Sequence, residues 1–132
     1  MGQFQSIEEA RNFFKDDLFA TNAGVTIDEL GDDCCVCSMP ITANHKNAAG
    51  GVMGGAIFTL GDLAFAVAAN NMHRITVAQQ VSINFLSGSK GSRLVARAQC
   101  KKDGRTTCVF NIDITDDLGR DIAQFVGTGY KL

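Results

Sequence analysis

Apolar residues recur along the chain with two different periods, one typical of helices and one typical of strands, and these periods divide the chain into predicted elements. In the opening segment, "SIEEARNFFKDDLFA", the apolar residues Phe13, Phe14 and Leu18 recur on one side, which is typical of an amphipathic helix. Ser6 and Glu9 form a capping box at its start. The next two segments, "GVTIDEL" and "CCVCSMP", are joined by "GDD" and predict two strands with a tight turn between them.

The segment at residues 50–71, "GGVMGGAIFTLGDLAFAVAANN", is apolar around almost its whole circumference. Between residues 56 and 69 only Thr59 and Asp62 are polar. A helix without a polar face lies in a protein core or in a membrane. This one is shorter than the roughly 20 residues that span a bilayer, and the carboxylate of Asp62 opposes insertion into lipid. We therefore predict a buried helix over residues 54–70.

Four further strands are predicted after this helix. Their segments are "ITVAQQVSINFL", "SRLVARAQCKK", "RTTCVFNIDIT" and "DIAQFVGTGYKL", and the "DG" between the second and third favours a hairpin. Only the sheet could cover all sides of the apolar helix. The prediction is an α+β hotdog fold with one domain over residues 1–132. A curved antiparallel sheet of five to six strands would wrap a long central helix, and an amphipathic helix would precede it.

The expected partner is a second copy of this chain. Edge strands of so short a sheet would leave backbone groups unpaired, which favours a homodimer or a dimer of dimers. The formal net charge of −2 supplies no positive field for nucleic acid, and no membrane partner is expected. The acidic start of the chain is not typical of a signal peptide. Together with five cysteines, an odd number, this predicts reduced thiols in the cytoplasm.

The cysteine cluster "CCVC" does not indicate a metal site. Within a strand, Cys35 and Cys37 share one face and Cys34 lies on the other. His45 and His73 are the only histidines, and they complete no four-ligand zinc spacing. We expect no bound metal, and we expect His45 to be exposed to solvent in its loop.

Asp62 lies on a stripe of small residues along the predicted helix. At 3.6 residues per turn it shares a side with Gly55, Thr59, Ala66 and Ala69. The bulky side chains lie elsewhere, at Ile57, Leu60, Phe65 and Val67. Small neighbours let a ligand or a partner subunit approach closely, so this stripe is expected to face a crevice.

The start of the same helix offers backbone donors. "GGVMGG" places glycines where a helix has free N–H groups, and such ends favour negative charge or polarised oxygen. Two donors at Gly54 and Gly55 could form an oxyanion hole. Asp62 lies about 12 Å further along the helix axis, so a dimer would be needed to bring both groups to one carbon atom.

These residues carry a family resemblance. "NAAGGVMGGAIFTLGDLAFAVAANN" resembles the signature of hotdog-fold acyl-CoA thioesterases of the phenylacetate-degradation type. Asn47, Gly54, Gly55 and Asp62 match that signature in type and spacing, whereas Met53 stands where the family has histidine. "VSINFLSGSKG" and "KKDGRT" are similar to the strand and hairpin that follow, so the resemblance covers residues 24–131.

The resemblance implies hydrolysis of an acyl-CoA thioester. Asp62 would act as general base or nucleophile, and the amides of Gly54 and Gly55 would polarise the thioester carbonyl across a dimer interface. Asn47 would position the water or the carboxylate. No cofactor is implied beyond the coenzyme A of the substrate. The residues expected to contact substrate are Met53, Thr59, Gln80, Phe65, Lys90 and Arg105, the two cations serving the coenzyme A phosphates.

Other interpretations stay open for the same residues. Asp62 could be a structural group capped by Thr59 or by a partner's backbone, and Asn47 could simply form a turn. Met53 favours the alternative of a non-catalytic acyl-CoA-binding hotdog protein. A hotdog dehydratase needs a catalytic histidine, and neither His45 nor His73 lies where that family would place it.

Overall fold

The computed structural model describes residues 2–132, in which a six-stranded antiparallel sheet surrounds one long helix. The elements, in chain order, are α1 (Ile7–Phe14), α2 (Leu18–Asn22), β1 (Thr26–Leu30), β2 (Cys34–Pro40), a 3₁₀ turn (Ala43–His45), α3 (Gly54–Met72), β3 (Thr76–Phe85), β4 (Arg93–Asp103), β5 (Thr107–Asp116) and β6 (Asp121–Lys131). The predicted hotdog architecture and its order of elements are confirmed. The central helix α3 ends at Met72, two residues beyond the predicted end.

The predicted amphipathic leading helix is present as α1, but it is shorter than the segment that predicted it, because the chain forms a second short helix, α2, after it. The capping bond is present, since the Ser6 hydroxyl accepts from the Glu9 amide at 3.1 Å. Helix α1 nevertheless ends at Phe14, and Leu18 is 63% exposed rather than buried. The buried residues Phe14 and Ala20 are six positions apart and would lie on different sides of one straight helix. The break lets both reach the core.

The sheet has the strand order β1-β2-β4-β5-β6-β3 and packs its inner face against α3. Phe65 of α3 contacts Phe110 edge to face, with 5.7 Å between ring centroids. A Cβ added at Gly127 or Gly129 would come within 2.8 Å or 3.0 Å of the Phe65 ring. The two glycines of β6 therefore leave the space that this ring occupies.

The cysteines behave as core residues, as predicted from the alternation. Cys35 and Cys37 are buried toward α3, and Cys34 is half-buried. The Cys35 thiol donates to the Ala64 carbonyl oxygen at 3.1 Å. All five cysteines are free thiols.

Strand β3 forms one edge of the sheet, and β1 forms the other. Ten residues long, β3 pairs with β6 on one side only. Apolar side chains at and beside this edge are exposed, namely Ile75, Val77, Phe85 and Leu86. Within residues 2–132, no helix has both the length and the apolar character needed to cross a membrane.

Candidate active site

Helix α3 buries its bulky residues and leaves one stripe partly accessible. Gly55, Thr59, Asp62 and Ala66 lie on the accessible stripe, as the spacing predicts, while Ala69 at its far end is buried. The accessible part of the stripe therefore spans the first three turns of the helix, close to its N-terminus.

Asp62 carries a carboxylate that no other described residue neutralises or binds. The Thr59 hydroxyl donates to the Gly55 carbonyl oxygen at 2.8 Å, so it does not cap Asp62 as the structural interpretation supposed. Desolvation raises the pKa of Asp62, and the negative charge of Asp17 raises it further. A half-buried carboxylate with a raised pKa binds a proton more readily than an ordinary aspartate does.

The first two amides of α3 have no hydrogen-bond partner among the described residues. The N–H groups of Ala56 and Ile57 both bond to the Met53 carbonyl oxygen, at 3.0 Å and 3.3 Å. The N–H groups of Gly54 and Gly55 come before these two bonds and have no carbonyl partner in the helix. They stay free because the Met53 side chain makes no capping bond. Two unpaired donors at the positive end of a 19-residue helix can bind an anionic or polarised oxygen.

Two crevices flank these amides. The one on the α2 side has a volume of about 410 Å³ and reaches Gly55, Thr59 and Met53 from the α2 residues Phe19 and Asn22 and the adjoining Ala23. We call it the α2-side crevice. The second, of about 360 Å³, lies on the β3 side between Gly54, Phe85 and the loop that follows β3.

Met53 and Phe85 cover the two glycines from opposite sides. A Cβ at Gly55 would lie 2.8 Å from the Met53 Cε atom, and one at Gly54 would lie 3.0 Å from the Phe85 ring. Met53 is 50% exposed and lines the α2-side crevice, so it can contact a ligand there. Glycine at both positions lets these side chains pack against the backbone.

Asn47 organises the loop that leads into α3. Its Oδ1 accepts from the amides of Ala49 and Gly51 at 3.0 Å and 3.1 Å, and its own N–H donates to the Gly51 carbonyl oxygen at 2.7 Å. This is the turn-forming behaviour that the simpler interpretation expected. The side-chain Nδ2 group remains available as a donor.

His45 is buried, which corrects the prediction that it is exposed. It is 6% exposed and is held through both ring nitrogens. Nδ1 accepts from the Thr42 amide at 2.9 Å, and Nε2 lies 2.6 Å from the Ala23 carbonyl oxygen. Sequence analysis missed the residue, although Thr42 and His45 have the spacing of a capping box.

Two predicted substrate contacts lie away from the crevices of this chain. Phe65 is 1% exposed and packs against the sheet, so its side chain belongs to the core. Gln80 was placed on the face of Ala78, but a β-bulge intervenes: Ala78 pairs with Gly129, whereas Gln80 pairs with the preceding residue, Thr128. Adjacent partners lie on opposite faces, so Gln80 and Ala78 do too.

The bulge also sets apart a residue to which the sequence pattern assigned no role. Gln79 is the extra residue of the bulge, between Ala78 and Gln80. Gln79 is polar and exposed, and it lies in the strand at the open edge of the sheet. An irregular register cannot be found from a regular alternation of residues.

The two predicted phosphate-binding cations lie at different ends of the sheet. Lys90 lies in the loop after β3, next to the residues that line the β3-side crevice, and its amide donates to Asp116 Oδ2 at 3.1 Å. Arg105 lies in the hairpin between β4 and β5, near the end of β6, where α3 ends rather than begins. Of these two cations, only Lys90 lies beside the crevice that Gly54 lines in the same chain.

No three His, Cys, Asp or Glu side chains in the described part of the chain come together in a metal-binding arrangement. The accessible part of α3 offers one carboxylate, Asp62, and two backbone donors, Gly54 and Gly55. This set suits addition of water to a carbonyl group.

Comparison with known proteins identifies the family of the chain. The family model described as the thioesterase superfamily matches residues 49–123. The acyl-coenzyme A thioesterase PaaI of Escherichia coli is 31% identical to this chain over 126 residues, which cover 95% of this chain and 90% of that protein.

Solved structures show the same likeness. The structure of the E. coli PaaI protein from the phenylacetic acid degradation operon is similar with a TM-score of 0.88 and 30% identity, covering 93% of this chain and 90% of that one. A hypothetical thioesterase from Streptococcus pneumoniae, crystallised with coenzyme A, is similar with a TM-score of 0.81 and 30% identity, covering 89% and 94%.

Proposed function

This chain belongs to the thioesterase superfamily, and on that premise we propose that it hydrolyses acyl-coenzyme A thioesters to a carboxylic acid and coenzyme A. Thioester hydrolysis is the chemistry of its family, and the similarity to an acyl-coenzyme A thioesterase along 95% of the chain supports coenzyme A as the thiol. The observation that carries the catalytic proposal is the presence, on one helix, of two unpaired amides and one unneutralised carboxylate.

Gly54 and Gly55 form the oxyanion hole in this proposal. When water adds to the thioester carbon, negative charge develops on the carbonyl oxygen. Two fixed N–H donors at a helix N-terminus stabilise that charge, and loss of one such donor typically lowers kcat by about 10²- to 10³-fold. Collapse of the tetrahedral intermediate then breaks the carbon–sulfur bond.

Asp62 acts as the general base. It removes one proton from the attacking water as the carbon–oxygen bond forms, and it returns that proton to the departing coenzyme A thiolate. Its raised pKa makes it a stronger base than a solvated aspartate. Direct attack of Asp62 on the thioester carbon is the alternative route; label left in Asp62 after a single turnover in ¹⁸O-enriched water would favour it.

The two parts of the site come from different subunits in this proposal. Gly54 and Asp62 are eight positions apart on α3, about 12 Å along one helix axis, which is too far for both to act on one carbon. Strand β3 has an unpaired edge with exposed apolar residues, so a two-fold pairing of this edge would give a homodimer. A dimer of dimers would then use other surfaces.

The remaining residues orient the substrate. Asn47 donates from its free Nδ2 group to the attacking water or to the Asp62 carboxylate of the partner. Met53 and Thr59 contact the acyl group in the α2-side crevice, where Met53 takes the place of the family's histidine. Lys90 contacts the coenzyme A phosphates from the loop after β3, whereas Arg105 could reach them only from the other subunit.

Release of thiol from acyl-CoA tests the activity. Aromatic and medium-chain acyl-CoAs are incubated with the protein, and coenzyme A is followed with a chromogenic disulfide. A reaction without substrate corrects for Cys34 and Cys100, which are partly accessible. Asp62→Ala should lower kcat by about 10³-fold, while Asp113→Asn on the outer face of β5 should change it little.

Failure of wild-type protein to release thiol from any thioester, together with clear acyl-CoA binding, would instead establish the non-catalytic binder. Met53→His then shows whether the departure from the family pattern limits turnover. A rise in kcat with unchanged folding would assign that limit to Met53.

Complementation between subunits tests the shared site. Gly54→Pro removes one donor and keeps the helix, because proline suits the first helical position. The new Cβ would lie 3.0 Å from the Phe85 ring, which is exposed and can move aside. Random mixing of this variant with Asp62→Ala should restore about one quarter of wild-type activity if the site is shared, since half of the dimers then carry one intact site. A site within one chain would stay inactive in every mixture.

A further inference from the structure

His45 makes hydrogen bonds that define its tautomer. A backbone N–H can only donate and a carbonyl oxygen can only accept. Nδ1, 2.9 Å from the Thr42 amide, must therefore be unprotonated, and Nε2, 2.6 Å from the Ala23 carbonyl oxygen, must carry the hydrogen. The ring is thus neutral and connects the 3₁₀ turn before α3 to the end of α2, 22 residues earlier in the chain.

The backbone of His45 in turn holds the first residue before α3. Its carbonyl oxygen accepts from the Met53 amide at 2.8 Å. Lys46 and Val52 form a bridge directly inside this bond, so residues 45–53 make a small closed loop with His45 and Met53 at its base. His45 is the buried side chain of that loop, and the other loop residues are exposed or partly exposed.

The orientation of Met53 determines that of the Gly54 amide. The peptide unit between them is planar and trans, so the Gly54 N–H points opposite to the Met53 carbonyl group. That carbonyl accepts from Ala56 and Ile57 in the first turn. Met53 is therefore held on both sides, by His45 at its N–H and by the helix at its oxygen. A displacement of His45 would therefore move Met53 and, with it, the free Gly54 amide.

Both walls of the α2-side crevice meet at the imidazole. Ala23 belongs to the α2 wall, Met53 and Gly55 belong to the α3 wall, and His45 itself lines the crevice between them. Both ring nitrogens already bond to backbone groups, so in this arrangement neither is available to bind a substrate atom.

From these contacts we propose that His45 is a positioning residue for the oxyanion hole: its neutral ring, by joining Thr42 to Ala23, sets the direction of the Gly54 and Gly55 amides and the width of the crevice beside them. This inference rests on the proposed thioesterase activity for its kinetic consequence. Its geometric content, the effect of the ring on the two amides, does not depend on any reaction.

A series at position 45 separates the two ring contacts. Thr42 and His45 are spaced as a capping box, in which glutamine or glutamate normally reaches back to the first amide. His45→Gln keeps an acceptor for Thr42 and a donor for Ala23. His45→Glu keeps the acceptor but sets a carboxylate oxygen against the Ala23 carbonyl. His45→Leu loses both contacts, and Lys46→Ala is the neighbouring control.

Kinetics with an active acyl-CoA give the first readout. His45→Gln and Lys46→Ala should keep kcat within about threefold of wild type. His45→Glu and His45→Leu should lower kcat by about 10- to 100-fold with KM nearly unchanged. The oxyanion donors stabilise the transition state more than the bound substrate, so their displacement affects kcat more than KM. A merely structural histidine would lower stability without this selective loss of kcat in the folded protein.

Backbone amide resonances of Gly54 and Gly55 give the second readout, in ¹⁵N-labelled protein without ligand. They should move in His45→Glu and His45→Leu and stay near their wild-type positions in His45→Gln. Unchanged resonances in a folded His45→Glu protein, or full kcat in that variant, would overturn the proposal. If the wild-type protein hydrolyses no thioester, the proposed function fails, and the resonances still decide whether His45 positions the amides.

Discussion

The side chain of Asn70 makes two hydrogen bonds to the backbone of Thr76. Its Nδ2 donates to the Thr76 carbonyl oxygen at 3.1 Å, and its Oδ1 accepts from the Thr76 amide at 2.9 Å. This pair ties the end of α3 to the start of β3, so helix and strand run in opposite directions. At the other end of both elements, Gly54 consequently lies against Phe85, at the open edge of the sheet.

Asn70→Ala should therefore destabilise the protein. The substitution leaves two backbone groups of Thr76 without partners in a buried position, which costs about 2 to 4 kcal/mol of unfolding free energy. Urea denaturation followed by circular dichroism measures the loss. Asn84→Ala is the matched control, because the exposed Asn84 makes a single bond to Gln124 at 3.3 Å. Equal losses in the two variants would contradict the proposed role of Asn70.

Asp17→Asn should shift the pH dependence of hydrolysis. Desolvation raises the pKa of Asp62, and the charge of Asp17 adds to the rise. Removal of that charge lowers the pKa, so the acidic limb of the kcat/KM profile should move to lower pH. Asp16→Asn, one residue away, should leave the limb in place. A limb that stays unmoved in Asp17→Asn would show that a different group limits the rate.

Asp62→Asn should stabilise the fold at neutral pH while it impairs catalysis. Because the pKa of Asp62 is raised by folding, the native state binds more protons than the unfolded state as pH rises from about 3.9, the unfolded value, through the native pKa. The free energy of unfolding of the wild type therefore falls over that pH range. The uncharged side chain of the Asp62→Asn variant avoids this loss. Urea titrations at pH 7 and near pH 3 should show a gain only at the higher pH. A gain of the same size at both values would indicate a packing effect instead.

Asp116→Asn should destabilise the fold in the opposite pH direction. Desolvation opposes ionisation of Asp116, but hydrogen bonds from the Arg120 and Lys90 amides and the Ser89 hydroxyl outweigh it and lower its pKa to about 2. This stability is present above about pH 3.9 and is lost as pH falls toward 2. Denaturation midpoints of wild type should fall over that range, with a smaller fall in Asp116→Asn. Asp113→Asn, exposed on the same strand, should follow wild type.

The order of elements followed from the amino-acid pattern alone because it depends on local periods. An apolar segment of helical length with no polar face has to be enclosed, and the strands after it are the only elements able to enclose it. The same pattern placed Asp62 on a stripe of small residues and free amides at Gly54 and Gly55, since both follow from positions along one helix. The structure bears out that geometry.

Features that depend on residues distant in the chain were beyond the sequence. The ring of His45 is buried because a carbonyl group 22 residues earlier receives its proton donor. Phe65 lies in the core because Gly127 and Gly129 of a distant strand leave room for it. The bulge in β3 that turns Gln80 outward depends on pairing with β6. No local period contains this information.

Helix and strand periods, and with them the order of elements along the chain and the isolated carboxylate on the central helix, were determined by the sequence because each rests on neighbours within a few residues. Which side chains line the crevices was decided only when β6, α2 and the loop before α3 came together. A local pattern does not say which partly apolar face of a helix or strand is covered and which lines a crevice; the packing of distant segments decides this. The same packing holds the Gly54 and Gly55 amides beside an open crevice.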